Sequence, residues 1–453
     1  MVLVAIFLAV HLAYAASGIF FDVSYLTFGW QFLDPQLLKS RLAESLFYLH
    51  SQPPLFNLFM GTVLKFFPDH AVWVFHAVYL GLGLLLSFSV MMLMQALGVS
   101  RRIALVLTAL FIASPSFVLY EHLLFYPFPV AALLACSAWV FSALLKSPSP
   151  GKAVLFFGLL FLICGLWSAF HLAYLLAAAG GLLHLFKTRR RMILMAALPF
   201  ILLASAWYVK NACLFGSFSS SSWLGMNMWR VVHDNIPLPE HRQWVKEGKL
   251  SPVSLIKSFS PLDQYPAEYR AETKWEASRI PLLTQPIKTT GFVNYHHAAY
   301  IGISRAYLRD FFSLVTLYPR AILRGVGQSI GYYFRSSTDY PKLGENLLRV
   351  QLAIRIYDRA VYGRLSSVFL FLLLGGPVLF ASSLGVALRR TGASVSWDQR
   401  MLILYLLFNI LYLAIVTTLL DRSENMRFRF ATDPLSVVLI GFWCNRLLRR
   451  RRG

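Results

Sequence analysis

Between positions 22 and 50 the chain carries Asp22, Asp34, Glu44 and His50, groups able to take, give or orient a proton. They follow an apolar run, residues 2–20, and sit in a stretch too polar for lipid yet rich in Leu, Phe and Tyr. A carboxylate at such a boundary suits a general base acting on a substrate delivered by the membrane; it equally suits a cap on its own loop. Asp34 precedes Pro35, the pattern of a helix N-cap as well as of a reserve base. His50 suits either orienting an acceptor or a structural imidazole. Further on, Lys210-Asn211 and the pair Arg427 and Arg429 stand at the ends of apolar segments. Cations there suit a phosphate held at low dielectric. The alternatives are a snorkelling lysine and arginines paired with Asp421 or Glu424. Glu121-His122 suits shaping a pocket or holding a divalent cation, although two residues alone make no metal site.

The elements that must position these groups are apolar. The chain has 453 residues, 57% of them hydrophobic, a formal net charge of +22 and a mean hydropathy of +0.60. A soluble domain is far more polar, so the expected class is an all-α polytopic membrane protein. The basic balance fits loops facing anionic lipid rather than nucleic acid, whose binding motifs are absent. The four cysteines form no CxxC, which argues against a disulfide framework or a zinc site. Residues 2–15 resemble a signal peptide, with Ala13-Tyr14-Ala15 as a cleavage pattern, but no Lys or Arg precedes the run, so a retained first helix is expected.

Hydropathy places about ten spans, at 2–20, 71–97, 103–119, 122–145, two within 152–186, then 192–209, 366–388, 401–420 and 430–447. Residues 54–67 are apolar but short, as in an interfacial helix. With the N-terminus inside, the basic connections at 100–102, 146–152, 187–191 and 389–400 and the tail from Arg446 all fall on one face. The Asp22 loop, the Tyr120-Glu121-His122 turn, residues 210–364 and Asp421 to Arg429 fall on the other. The expected organisation is a transmembrane domain over 1–209 with an outer loop at 22–70, a folded interfacial region over 210–364, and C-terminal helices with a basic tail over 365–453. Apart from Asp433, the spans hold almost no acids, which argues against an ion-coupled transporter and for chemistry at the outer surface.

Several segments, in order, resemble the GT-C type of integral-membrane glycosyltransferases, and within it the bacterial relatives of protein O-mannosyltransferases and aminoarabinose transferases. Asp22-Val23-Ser24-Tyr25 resembles the acidic D-E-x-x-Y motif after the first helix, with Val23 in place of the second acid. His50-Ser51-Gln52-Pro53-Pro54-Leu55 is similar to a His-Pro-Pro-Leu element, split by Ser51-Gln52. Lys210-Asn211, Phe215-Gly216 and Gly225-Met226-Asn227-Met228-Trp229 follow the family's middle segment, with Lys210 where Arg is usual. Arg427-Phe428-Arg429 with Pro434 resembles the start of a late span.

The resemblance implies transfer of a sugar from a polyprenyl-phosphate donor to an acceptor on the extracytoplasmic face, with inversion at the anomeric carbon. The setting it implies is a bacterial inner membrane, with a glycan, lipid or protein as acceptor. It implies Asp22 as base with Asp34 in reserve. It also implies substrate contacts from Tyr25, His50, Glu121, His122, Lys210, Asn211, Trp229, Arg427 and Arg429. It requires no certain cofactor and leaves room for a divalent cation. A non-catalytic scaffold and a lipid-sugar carrier or transporter are the alternatives.

Overall fold

The computed structural model describes residues 1–270, 275, 279–389 and 395–450. Part of the basic connection at 389–400, and the last residues of the basic tail, lie outside the described residues. The chain is almost wholly helical. It opens with α1 (Val2–Ala16), α2 (Pro35–Ser40), α3 (Leu42–Tyr48) and α4 (Leu55–Phe66). Next come α5 (Ala71–Ala96), α6 (Arg101–Ile112), α7 (Pro115–Glu121), α8 (Pro127–Lys146), α9 (Pro150–Leu166), α10 (Leu172–Leu185) and α11 (Arg190–Phe215). A middle region holds α12 (Leu224–Val232), α13 (Leu238–Lys246), α14 (Ala299–Leu317), α15 (Pro319–Tyr333) and α16 (Gln351–Tyr362). The chain closes with α17 (Leu370–Leu388), α18 (Trp397–Leu420), α19 (Asn425–Phe430) and α20 (Asp433–Arg450). A two-stranded antiparallel ribbon, β1 (Arg364–Leu365) and β2 (Val368–Phe369), precedes α17.

Local sequence explains the helix boundaries. Asp34, Ser114 and Ser149 each accept a backbone N–H of the first turn and are followed by proline, which lacks the donor that a first turn leaves unpaired. Ser396 and Gln399 form a capping box at the start of α18. Gly216, at φ 65°, ends α11 in the left-handed conformation that costs glycine little.

By length and composition, α5, α8, α17, α18 and α11 with its preceding turn can each cross a membrane. The expected span at 103–119 is broken instead: α6 and α7 meet at Ser114-Pro115 with a bend of 60°, and count as a sixth only if read as one broken span. α1, α4, α9 and α10 are apolar but shorter. The 152–186 segment divides at Trp167 to His171, where α9 ends and α10 begins. These helices suit an integral membrane protein.

The loops alternate between the two ends of the bundle. At one end the backbones of Asp22 and Leu123 form a parallel bridge: Asp22 N–H donates to His122 C=O (2.7 Å) and Leu124 N–H to Asp22 C=O (2.9 Å). Tyr120 Oη reaches Ser337 C=O at the same end. At the other end Asn445 donates to Gly98 C=O and Arg189 to Pro148 C=O. The main core runs through the bundle, and a second, smaller core (Trp223, Trp229, Val253, Tyr300, Tyr307, Leu314) lies wholly within the middle region.

One acid departs from its expected place. Glu121 is not in an exposed turn. It is fully buried at the end of α7, hydrogen-bonded to His11 of α1, and lies against Gly83 midway along α5, where a Cβ would meet its Oε1 at 1.8 Å. The 60° bend of α7 turns this acid into the bundle, so the helices are less free of carboxylates than their sequence suggests.

Candidate active site

A cavity of about 890 Å³ opens at the end of the bundle where the Asp22 loop and the middle region meet. Its charged wall is made by the turn after α18. That helix stops because Asp421 turns extended (φ −143°, ψ 153°), and Asn425 Nδ2 donates to the carbonyls of Thr417 and Asp421 at 3.0 and 3.1 Å. Ser423 at φ 85° then reverses the chain into α19, all six of whose residues are buried. The reversal aims Asp421, Glu424 and Arg427 into the cavity.

Arg427 lies 3.1 Å from Glu424 and 3.9 Å from Asp421. Two further cations arrive from the middle region. Arg230, on α12, is 3.5 Å from Asp421 and 3.6 Å from Glu424, and Lys342 is 3.0 Å from Glu424. Burial pushes the Asp421 carboxyl up to about 6 against the pull of Arg230 and Arg427. Burial would also raise Glu424, but Arg427, Arg230 and Lys342 outweigh it and hold that carboxyl down at about 2. Asp421 Oδ1, 3.5 Å from Arg230 Nη1, and Arg427 Nε are buried and make no direct hydrogen bond among the described residues.

Aromatic rings complete the site. Trp30 lines the cavity, stacked on Phe259 at 4.9 Å and flanked by Lys342 (4.8 Å) and Arg230 (5.7 Å). Tyr25 and Tyr340 share a hydrogen bond of 2.5 Å on the same wall. Gln52, Ser168, Ser221 and Asn227 offer polar groups, while Leu176, Ile415, Leu419 and Phe312 line an apolar side and are 46–60% exposed.

Of the residues singled out from the sequence, the structure brings Tyr25 and Arg427 to this cavity. Asp22 does not line it. Its Oδ1 accepts the Ser24 N–H at 2.8 Å, and the carboxylate packs against the turn at Gly344, where a Cβ would come within 2.3 Å of Oδ2. Asp34 caps α2 and ties down Thr289 through both N–H and hydroxyl, each at 2.6 Å. His50 is bonded to Ser222 Oγ (2.7 Å) and His296 C=O (2.8 Å), and burial lowers its imidazole to about 3, keeping it neutral. Lys210 lies over Trp207 and donates to Phe47 and Leu49 C=O, closing the end of α3, and Asn211 holds Ser219 C=O at 2.7 Å. Trp229 is in the small core, its Nε1 on Ser254 C=O. Arg429 is held by Asp433 at 2.5 Å, Ser337 Oγ and Arg335 C=O. His122 donates to Val118 C=O beside the His11–Glu121 pair. Among the described residues, no three His, Cys, Asp or Glu are grouped to hold a metal ion.

Sequence reading passed over Asp421 and Glu424 as site residues, along with Arg230, Lys342 and Trp30. The spacing Asp421-x-x-Glu424-x-x-Arg427 at the end of an apolar helix was the available signal for three of them. Compared with known proteins, the chain matches no family model, no curated protein and no solved structure.

Proposed function

We propose that this chain is a membrane glycosyltransferase that moves a sugar from a polyprenyl-phosphate donor to an acceptor hydroxyl in the Asp421–Glu424–Arg427 cavity. The observation that carries the reading is a buried carboxylate set among cations and aromatic rings at the wall of a cavity with one apolar side. Asp421 takes the acceptor proton as the acceptor oxygen bonds to the anomeric carbon. The bond from that carbon to the phosphate oxygen breaks on the opposite face, giving inversion, and the lipid phosphate leaves as an anion. Arg427 and Arg230 hold that anion, and Glu424 fixes both guanidinium groups. Three lining cations against two acids leave a net charge of +1, which one phosphodiester balances. Trp30 offers a flat face to the sugar.

The same reading takes all ten apolar segments as crossing or entering the bilayer, with the cavity on the extracytoplasmic side of a bacterial inner membrane. The alternative of a lipid-sugar carrier is favoured by one observation, the buried His11–Glu121 pair inside the bundle. The test is release of polyprenyl phosphate from polyprenyl-phosphate sugars by the purified protein in nanodiscs. Turnover in the wild type that is lost in Asp421→Asn, with donor binding kept, supports the transferase. Donor binding without turnover for any acceptor offered, together with transbilayer movement of the donor that Glu121→Gln stops, overturns it in favour of a carrier.

A further inference from the structure

At the end of the bundle opposite the cavity, arginines from three helices converge. Arg389 follows the last residue of α17, Arg400 is in the first turns of α18, and Arg446, Arg449 and Arg450 end α20. Arg400 donates to Arg389 C=O at 2.9 Å, and Arg446 lies near enough to Arg389 and Arg450 to be repelled by both. The arrangement is fixed by packing. Trp443 Nε1 donates to Ser383 Oγ at 3.0 Å, joining α20 to α17, and Asn445 and Arg449 hold Gly98 C=O.

Like charges gathered in this way cost free energy unless an anion joins them. Every arginine ion pair among the described residues lies elsewhere. The neighbouring segment 390–394 and the tail 451–453 contain no acid in their sequence. Arg400 Nε is buried with no hydrogen-bond partner. Three other cations at this end are engaged by backbone carbonyls: Lys152 donates to Ala143 and Ser147 C=O, Arg189 to Pro148 C=O, and Arg190 to Leu183 C=O. The surroundings of the arginine cluster are those of the lipid boundary. Trp397 is 44% exposed beside it, and Leu388, Leu447 and Leu448 are exposed around it.

We propose that Arg389, Arg400, Arg446 and Arg450 form a binding site for the phosphate headgroup of an anionic phospholipid, whose acyl chains lie along the exposed leucines. Guanidinium forks match phosphate oxygens in pairs, and basic pockets between helix ends are a recurrent setting for such headgroups. The site is independent of the cavity and of the reaction assigned to it.

The test uses the full chain purified in detergent, titrated with phosphatidylglycerol, phosphatidylcholine or sodium phosphate, with bound lipid counted by native mass spectrometry. Phosphatidylglycerol is expected to bind and raise the apparent Tm, whereas the other two do neither. The triple variant Arg389→Gln, Arg446→Gln, Arg450→Gln is expected to weaken phosphatidylglycerol binding by about tenfold or more. A charge-matched control, Arg189→Gln, Arg190→Gln, Arg191→Gln, is expected to stay within about 1.5-fold of wild type. Should the triple variant fail to fold, Arg446→Lys with Arg450→Lys keeps the charge and is expected to lose about threefold through the missing forks. Equal weakening in the control, or equal stabilisation by phosphatidylcholine or by sodium phosphate, overturns the proposal.

Discussion

Asp22 and Asp421 each follow an apolar helix at the same end of the bundle, and they are almost equally buried, at 6% and 8% exposure. Their surroundings differ in what answers the charge. Asp22 is answered locally, by a backbone N–H two residues along its own loop, and its other oxygen lies beside the Gly344 turn. Asp421 is answered from a distance, by Arg230 from α12 and Arg427 from α19, and one of its oxygens is left without a hydrogen bond at a cavity wall. Burial alone therefore does not mark a reactive carboxylate. What distinguishes Asp421 is its place at a cavity wall among cations brought from other segments.

The sharpest way to break this comparison is to remove each carboxylate in turn. Asp421→Asn is expected to lower turnover of a polyprenyl-phosphate sugar by about 10²–10⁴-fold, the range of a lost general base, while the protein stays folded. Asp22→Asn, which keeps an acceptor for the Ser24 N–H, is expected to change turnover by less than about twofold, a contrast read in one assay of released polyprenyl phosphate. The reverse ranking would return the base to Asp22.

The next effect is on stability. Arg427→Gln leaves Glu424 buried with fewer cations, and loss of one partner of a buried pair costs about 3–5 kcal/mol, read as a lower apparent Tm in detergent. Because the cations hold Glu424 down at about 2, the stability it contributes is present above the ordinary carboxylate value and is lost as pH falls from about 4.5 towards 2. Arg427→Gln is expected to weaken that loss.

The pH profile of catalysis sharpens the comparison further. Asp421 must be ionised to accept a proton, and burial raises it to about 6, so kcat/KM is expected to fall about tenfold per unit below pH 6 and to be level above it. A profile level down to pH 4 would remove Asp421 as the base. A smaller effect belongs to Asp34, which caps its own helix and holds Thr289 from the middle region. Asp34→Ala removes the α2 cap and both Thr289 bonds, an expected cost of about 2 kcal/mol, with kcat changed less than KM. A fall in kcat as large as that of Asp421→Asn would show that this loop carries chemistry.

How much of this was legible in the sequence differs by residue. The N-cap alternative for Asp34 could be read from Pro35 alone, because capping is settled within one turn. The pairing of Arg427 with Asp421 and Glu424 was also within reach, since the three stand at helical spacing. Arg230, Lys342 and Trp30 were not legible as site residues, because nothing in their neighbourhoods distinguishes them from other surface cations or interfacial tryptophans. The burial of Glu121 was not legible, because the direction in which the 60° bend at Ser114-Pro115 turns the helix is set by packing.

The amino-acid order by itself determined the helical class, the apolar segments, the helix caps and the alternation of basic connections, all of which depend on contacts or transfer energies a few residues wide. Only the tertiary structure decided which carboxylate meets cations and open space. That depends on segments far apart in the chain: Arg230 reaches Asp421 from α12, and Lys342 reaches Glu424 from beyond α15. Their charges act through a low-dielectric wall that exists only once the helices have packed.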